Sequence, residues 1–354
     1  MTPLRSFMFI PGDSEKKLGK ADESPADVLI LDIEDSVAPS RKPVAREMVP
    51  AFLRERPRDK RSSQLWVRIN PLDTPDAIND LVAVVAGQPD GIILPKANGP
   101  ADCQMLSHYL DALEAAGGVP AGSIRFMPVA TETAVAPFRL GDYATAGLKR
   151  LYGLTWGAED LSAAIGASTN LDPAGGWALT YRVVRSFTLL AAHASGVEAV
   201  DTVYVDFRDP DGLRAACRAA RAEGFSGRIA IHPAQVEIIN EAFSPSQEEV
   251  EFAERVVEAF AANPGIGTVG LDGKMLDIPH LKAAEKTLAM HAAPTVASIT
   301  NAQRMNLFVR TMDRFVLVEP AVVEGRSHCT RSRAVAESTV LAAPKRRRFL
   351  DRNC

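Results

Sequence analysis

The sequence has few cysteines, no long apolar run, no strong charge bias and no glycine-rich nucleotide loop, and each absence excludes something. Four cysteines stand far apart at positions 103, 217, 329 and 354, without the paired spacing of a metal site or a redox motif. They form no disulfide framework and read as free thiols in a reducing compartment. The apolar run Phe7-Met8-Phe9-Ile10 is closed at once by Pro11-Gly12, too short for the core of a signal peptide. No other stretch approaches the ~20 apolar residues of a spanning helix, so a cytoplasmic protein without a membrane partner is expected. Forty basic against 44 acidic residues give a formal charge of −4, which argues against nucleic acid as the main partner.

What is present is an ordinary globular composition, 46% hydrophobic and 24% charged, over 354 residues. Eight short apolar runs read as strands: Ser6–Ile10, Val28–Ile33, Leu65–Ile69, Gly91–Pro95, Ile124–Val129, Leu151–Trp156, Thr202–Phe207 and Arg228–His232. Most are hydrophobic at nearly every position, as strands covered on both faces must be. Amphipathic stretches lie between them, among them Pro43–Leu53, Asp76–Val85, Ala101–Ala116 and Asp211–Ala222. An open Rossmann sheet should carry several glycines after its first strand, whereas the turn here is Pro11-Gly12-Asp13-Ser14. A closed α/β (β/α)8 TIM barrel over residues 1–243 is therefore predicted. Helical patterns at Gln247–Ala261 and Ile278–His291 flank a glycine-rich connection with Gly265, Gly267, Gly270 and Gly273. Residues 244–292 read as a C-terminal helical lid on a flexible hinge. From residue 293 to 354 the periodicity fades and basic residues collect, ending in Lys345-Arg346-Arg347-Arg348. That extension reads as a tail without regular structure.

A barrel puts its chemistry where the strands end, so the residues closing each run are the candidates. Strand 2 closes on Asp32, Glu34 and Asp35, strand 3 on Arg68 and Asn70, and strand 4 on Lys96. Strand 5 leads to Glu132, strand 6 to Glu159 and Asp160, strand 7 to Asp206 and strand 8 to His232. Any one of these is as readily a helix cap or a solvated charge; Asp160, for instance, precedes a helical stretch. Several carboxylates on one rim repel unless a proton or cation intervenes, and oxygen-only donors favour Mg²⁺ or Mn²⁺ over zinc. For His232 a packing role is the plainer reading.

The segments Phe9-Ile10-Pro11-Gly12-Asp13, Leu31–Val37, Arg68-Ile69-Asn70, Leu94-Pro95-Lys96 and Glu132-Thr133-Ala134 come in a telling order. Gly157–Leu161, Asp201–Asp206, Ile231-His232-Pro233 and Gly273–Pro279 complete it. This ordered set resembles the HpcH/HpaI aldolase and citrate lyase superfamily, in particular its citrate lyase beta-subunit-like CoA ester lyases. The resemblance implies Mg²⁺ on Glu132 and Asp160, and Arg68 on the substrate's reacting oxygens. It implies Asp277 as an acid/base delivered by the lid to a neighbouring subunit, hence a homotrimer or hexamer. Coenzyme A, as part of the substrate thioester, would meet Arg5, Lys16 and Lys20. The implied reaction is cleavage or formation of a β-hydroxyacyl-CoA such as malyl-CoA, citramalyl-CoA or citryl-CoA. A class II aldolase acting on free 2-keto acids and a non-catalytic CoA-ester-binding subunit are the alternatives. The sixty or so residues after the lid depart from the family pattern.

Overall fold

The computed structural model of the protein describes residues 4–292; the predicted basic extension lies outside them. Eight parallel strands run β1 (Ser6–Pro11), β2 (Val28–Asp32), β3 (Gln64–Arg68), β4 (Gly91–Leu94), β5 (Arg125–Pro128), β6 (Gly153–Thr155), β7 (Glu198–Asp201) and β8 (Gly227–Ala230). They pair in the order β5-β4-β3-β2-β1-β8-β7-β6. Bridges Phe126↔Leu151 and Val129↔Thr155 join the two end strands, so the sheet closes on itself as predicted. Helices α1 (Glu15–Leu18), α2 (Lys42–Glu55), α3 (Pro75–Val84), α4 (Pro100–Gly117), α5 (Ala158–Ala164), α6 (Leu179–Ala194), α7 (Pro210–Glu223) and α8 (Val236–Ala242) surround it. Only a 3-10 segment, Ala136–Thr145, covers the β5–β6 crossover.

Alternation along the strands builds two cores. Phe7, Ile30, Trp66, Ile93, Met127, Tyr152, Val200 and Ile229 fill the barrel interior, with Trp66 edge-on to both Phe7 and Tyr152. Met8, Ile10, Leu29, Leu31, Val67 and Ile92 point outward into the helical layer. A strand buried on both sides needs this uninterrupted hydrophobicity, which is why the runs were legible.

The predicted seventh strand is displaced: β7 is Glu198–Asp201, and residues 202–207 form a loop over the barrel mouth. Thr202, Val203, Tyr204 and Val205 have the β-branched and aromatic character of a strand, but a buried charge ends the ladder before them. Asp201, 1% exposed, is held by Arg228 at 2.5 Å, Arg185 at 3.1 Å and the Trp156 indole at 2.7 Å.

The glycine-rich connection stands between two helices as read from the sequence, but it is a paired turn and not a loose hinge. It lies inside the C-terminal segment, between α9 (Gln247–Ala261) and α10 (Ile278–Ala292), and folds as an antiparallel hairpin, β9 (Thr268–Leu271) with β10 (Lys274–Asp277). Its turn places Asp272 at φ 51° and Gly273 at φ 74°, the Asp-Gly geometry that matches strand twist in a two-residue loop. Val256, Phe260, Val269, Leu276 and Ala284 form a small core of their own. A Ser246–Glu249 capping box starts α9, and Arg221 of α7 pairs with Glu249 at 2.9 Å. Among the described residues no helix is long and apolar enough to cross a membrane.

Candidate active site

A cavity of about 800 Å³ opens at the C-terminal ends of the strands, where barrel chemistry collects. Arg68, Glu132 and Asp160 all line it, together with Asp32, Glu159 and His232. β-Alternation points Asp32 and Arg68 inward at paired positions of β2 and β3, whereas Glu132 comes from the loop after β5 and Glu159 and Asp160 from the first turn of α5. The Arg68 guanidinium grips Asp32 through two 2.7 Å hydrogen bonds, and its plane lies 4.4 Å over the Phe9 ring. Burial works against an ionised Asp32, yet Arg68, Ser36 and the Glu34 amide hold its carboxyl below the usual range.

Around this pair the carboxylates outnumber the cations. Arg68 Nη1 stands 3.0 Å from Glu34 Oε2, an ion-pair distance at an angle that gives no hydrogen bond, so this buried oxygen has no donor. Lys96 Nζ reaches Glu34 at 2.5 Å, Asp35 at 3.1 Å and Asp160 at 3.5 Å. Burial raises the Glu34 carboxyl despite these cations. Burial likewise pushes Glu132 up to about 8; the Lys96 amide, 2.6 Å away, opposes the rise, while Asp160 and Glu34 add to it. Lys96 itself sits in the left-handed region at φ 51°, a conformation costly for a residue with a Cβ and one that turns its amide onto Glu132. On the other side, a Cβ at residue 157 would stand 2.9 Å from Glu132 Cγ, so only glycine lets the β6 turn approach so closely.

Five acids (Asp32, Glu34, Asp35, Glu132 and Asp160) thus share two cations. A donorless buried oxygen, a Glu132 that resists ionisation and an all-oxygen donor set fit a divalent ion of the magnesium type. Among the described residues no three His, Cys, Asp or Glu side chains gather to hold a metal, so the fit is of two carboxylates completed by other oxygens. Asp160 is not a helix cap: Gly157 holds the N-cap position of α5, and Asp160 is its third residue.

Other expected residues fall elsewhere. Arg5 precedes β1 at the opposite end of the barrel, where Asp27 takes it at 2.9 Å and Ser244 accepts its remaining nitrogen. Lys16 does not line the cavity; Lys20 does, together with Lys17. Lys16 and Lys17, neighbours on α1, differ only in the direction they point, and no sequence signal separates them. Asp277 is half exposed outside this chain's cavity, its carboxylate 2.5 Å from His280 Nδ1, a contact that lowers its pKa. Asp206 is exposed and does not line the cavity, because the strand it was assigned to ends at Asp201. Asn70 turns away from the mouth to bind Asp80 and the Ile33 carbonyl. His232 stacks on Phe207 at 4.7 Å, and its Nδ1 accepts the Ala234 amide. Trp156 and Val203 also form its wall, which no sequence pattern marks.

Residues 5–233 match the HpcH/HpaI aldolase/citrate lyase family. A (3S)-malyl-CoA thioesterase of Cereibacter sphaeroides is 35% identical over 289 residues, covering 81% of this chain and 94% of that protein. The citrate lyase subunit beta of Escherichia coli is 36% identical over 287 residues, 80% of this chain and 92% of that one. Among solved structures, protein CitE from Mycobacterium tuberculosis, in complex with magnesium, acetoacetate and coenzyme A, superposes with a TM-score of 0.67. It is 33% identical, covering 82% of this chain and 99% of that one. The chain therefore belongs to the HpcH/HpaI aldolase/citrate lyase family.

Proposed function

We propose that this enzyme is a Mg²⁺-dependent CoA ester lyase that splits a β-hydroxyacyl-CoA into acetyl-CoA and a keto acid, or runs that reaction in reverse. The observation that carries the reading is the convergence of Arg68, Glu132 and Asp160 on one cavity with a surplus of carboxylates. Glu132 and Asp160 would hold the ion, which when bound supplies Lewis acidity toward the substrate's hydroxyl and carboxylate oxygens. Arg68, oriented by Asp32 and Phe9, presents a fixed positive charge to the oxygens that gain negative charge as the carbon–carbon bond breaks. In that step the hydroxyl proton leaves to a mouth carboxylate, the C3 oxygen becomes a carbonyl, and the bond's electron pair passes to the acetyl-CoA enolate. Asp277 of a neighbouring copy would return a proton to the enolate carbon. Its exposure on the 247–292 segment, outside its own cavity, suits delivery in trans. Lys17 and Lys20 would face the coenzyme's phosphates. The relatives' names support an enzyme working on a CoA thioester; the same proposal makes it a cytoplasmic homo-oligomer.

The test is a screen of the purified protein with Mg²⁺ against malyl-CoA and citramalyl-CoA, following acetyl-CoA and the keto acid. Turnover abolished by chelation is expected. Release of free CoA without carbon–carbon cleavage would instead assign a thioesterase, and turnover of free 2-keto acids alone would assign an aldolase.

A further inference from the structure

Asp277 does not stand alone on its segment. It closes β10, and His280 lies in the first turn of α10. His280 Nδ1 stands 2.5 Å from Asp277 Oδ1 and 3.3 Å from the Asp277 amide nitrogen. One ring nitrogen thus has two partners on the same residue, and each suits a different protonation state. A protonated Nδ1 donates to the carboxylate, whereas a bare Nδ1 accepts the amide N–H. The ring can gain or lose that proton without turning.

The pair is held on rigid backbone. Pairing of Asp277 with Thr268 ends the hairpin, and Pro279 restricts the link between the two side chains. Leu276 and Ala284, on either side of the pair, are anchored in the small apolar core. Both Asp277 and His280 are half exposed, and an exposed ion pair of this kind contributes little to stability.

We infer that His280 supplies and removes the proton that Asp277 exchanges with the substrate, so that the segment carries an aspartate–histidine relay. The inference rests on the lyase reading above. His280 holds the Asp277 carboxyl below its usual range, which leaves the carboxylate without a proton of its own to give. In cleavage, Nδ1 gives its proton to the carboxylate, and the carboxyl gives it to the enolate carbon. The enolate's electron pair forms the new C–H bond, and the N–H pair stays on the ring. Asp277 ends ionised and His280 neutral, its bare Nδ1 facing the Asp277 amide, until the half-exposed ring regains a proton from solvent. Synthesis runs the same transfers backwards: the carboxylate takes a methyl proton and hands it to the neutral ring. His280 acts through Asp277 and is a positioning residue that also carries the proton.

The experiment measures kcat and KM of the full chain with Mg²⁺ and the β-hydroxyacyl-CoA that it turns over. It compares wild type with His280→Ala and His280→Gln. Both variants should lose about 100-fold in kcat, the lower end for acid/base transfer, with KM and melting temperature unchanged. Glutamine still donates a hydrogen bond to Asp277 but carries no transferable proton, so its failure separates a relay from a clamp. Added imidazole should raise the kcat of His280→Ala at least about tenfold and leave Asp277→Asn unaffected. Wild-type kcat in either variant, or no imidazole rescue of a folded His280→Ala, would overturn the inference and leave the lyase reading standing. No turnover by wild type, or full turnover by Asp277→Asn, would instead overturn the reading beneath it.

Discussion

Gly157 and Lys96 together fix Glu132, one by leaving room for it and the other by donating its amide. Gly157→Ala puts a methyl 2.9 Å from Glu132 Cγ, with Val129 Cγ1 close behind. The carboxylate must shift, and Mg²⁺ affinity is expected to fall about tenfold, the scale of a disturbed ligand support; isothermal titration measures it. Glu132 also predicts a pH dependence. Its folded pKa of about 8 lies above the ordinary 4.5, so between these values the folded metal-free protein keeps a proton that the unfolded chain has released. Stability must then fall as pH rises through that window, with the loss complete above it. The melting temperature of metal-free wild type should drop relative to Glu132→Gln between about pH 6 and about pH 9. Mg²⁺ binding near neutral pH should release a proton, visible as a buffer-dependent binding enthalpy. Parallel melting curves for the two proteins would refute the assignment. Arg68, Glu132 and Asp160 were legible as rim residues because polar residues stood where apolar runs stopped, and as a set only through the family resemblance. Lys17, Trp156 and Val203 were not, because their roles depend on the direction of a side chain rather than on a pattern.

At the scale of elements, β7 is tied to β8 and α6 by one buried carboxylate. Asp201→Asn removes the charge that Arg228 and Arg185 share, leaving two buried guanidinium groups without their counter-ion. A loss of about 3 kcal/mol is expected in urea unfolding, as for other broken buried pairs. A change inside error would mean that these arginines find other acceptors. The 247–292 segment offers a gentler test, since Gly273 at φ 74° closes its hairpin. Gly273→Ala should cost about 1 kcal/mol. The effect should appear as faster amide exchange confined to this segment, because its apolar cluster is separate from the barrel's. The glycines there announced a break in helix, but whether they made a hinge or a turn was decided by strand pairing between β9 and β10.

For the whole molecule, the proposal that Asp277 serves another copy predicts complementation. Glu132→Gln and Asp277→Asn should each lower kcat by about 100-fold or more when assayed alone. Mixed after reversible dissociation, they should regain activity, because some sites then join an intact cavity to an intact aspartate. No recovery in confirmed mixed oligomers would confine Asp277 to its own chain or remove it from the chemistry.

The sequence alone settled the barrel and most of its rim. Seven of eight strands were placed within a few residues, since a strand buried on both faces cannot hide its hydrophobicity. Tertiary structure decided the rest. It ended β7 early through the ion pairs of Asp201, sent Arg5 to the far end of the barrel, and made a hairpin of the supposed hinge. It also gathered Glu132 and Asp160, 28 positions apart in sequence, onto one cavity with Lys96 touching both. Periodicity reports how much of a residue is buried, but the sign and partners of a buried charge are set by chain segments that meet only when the barrel closes.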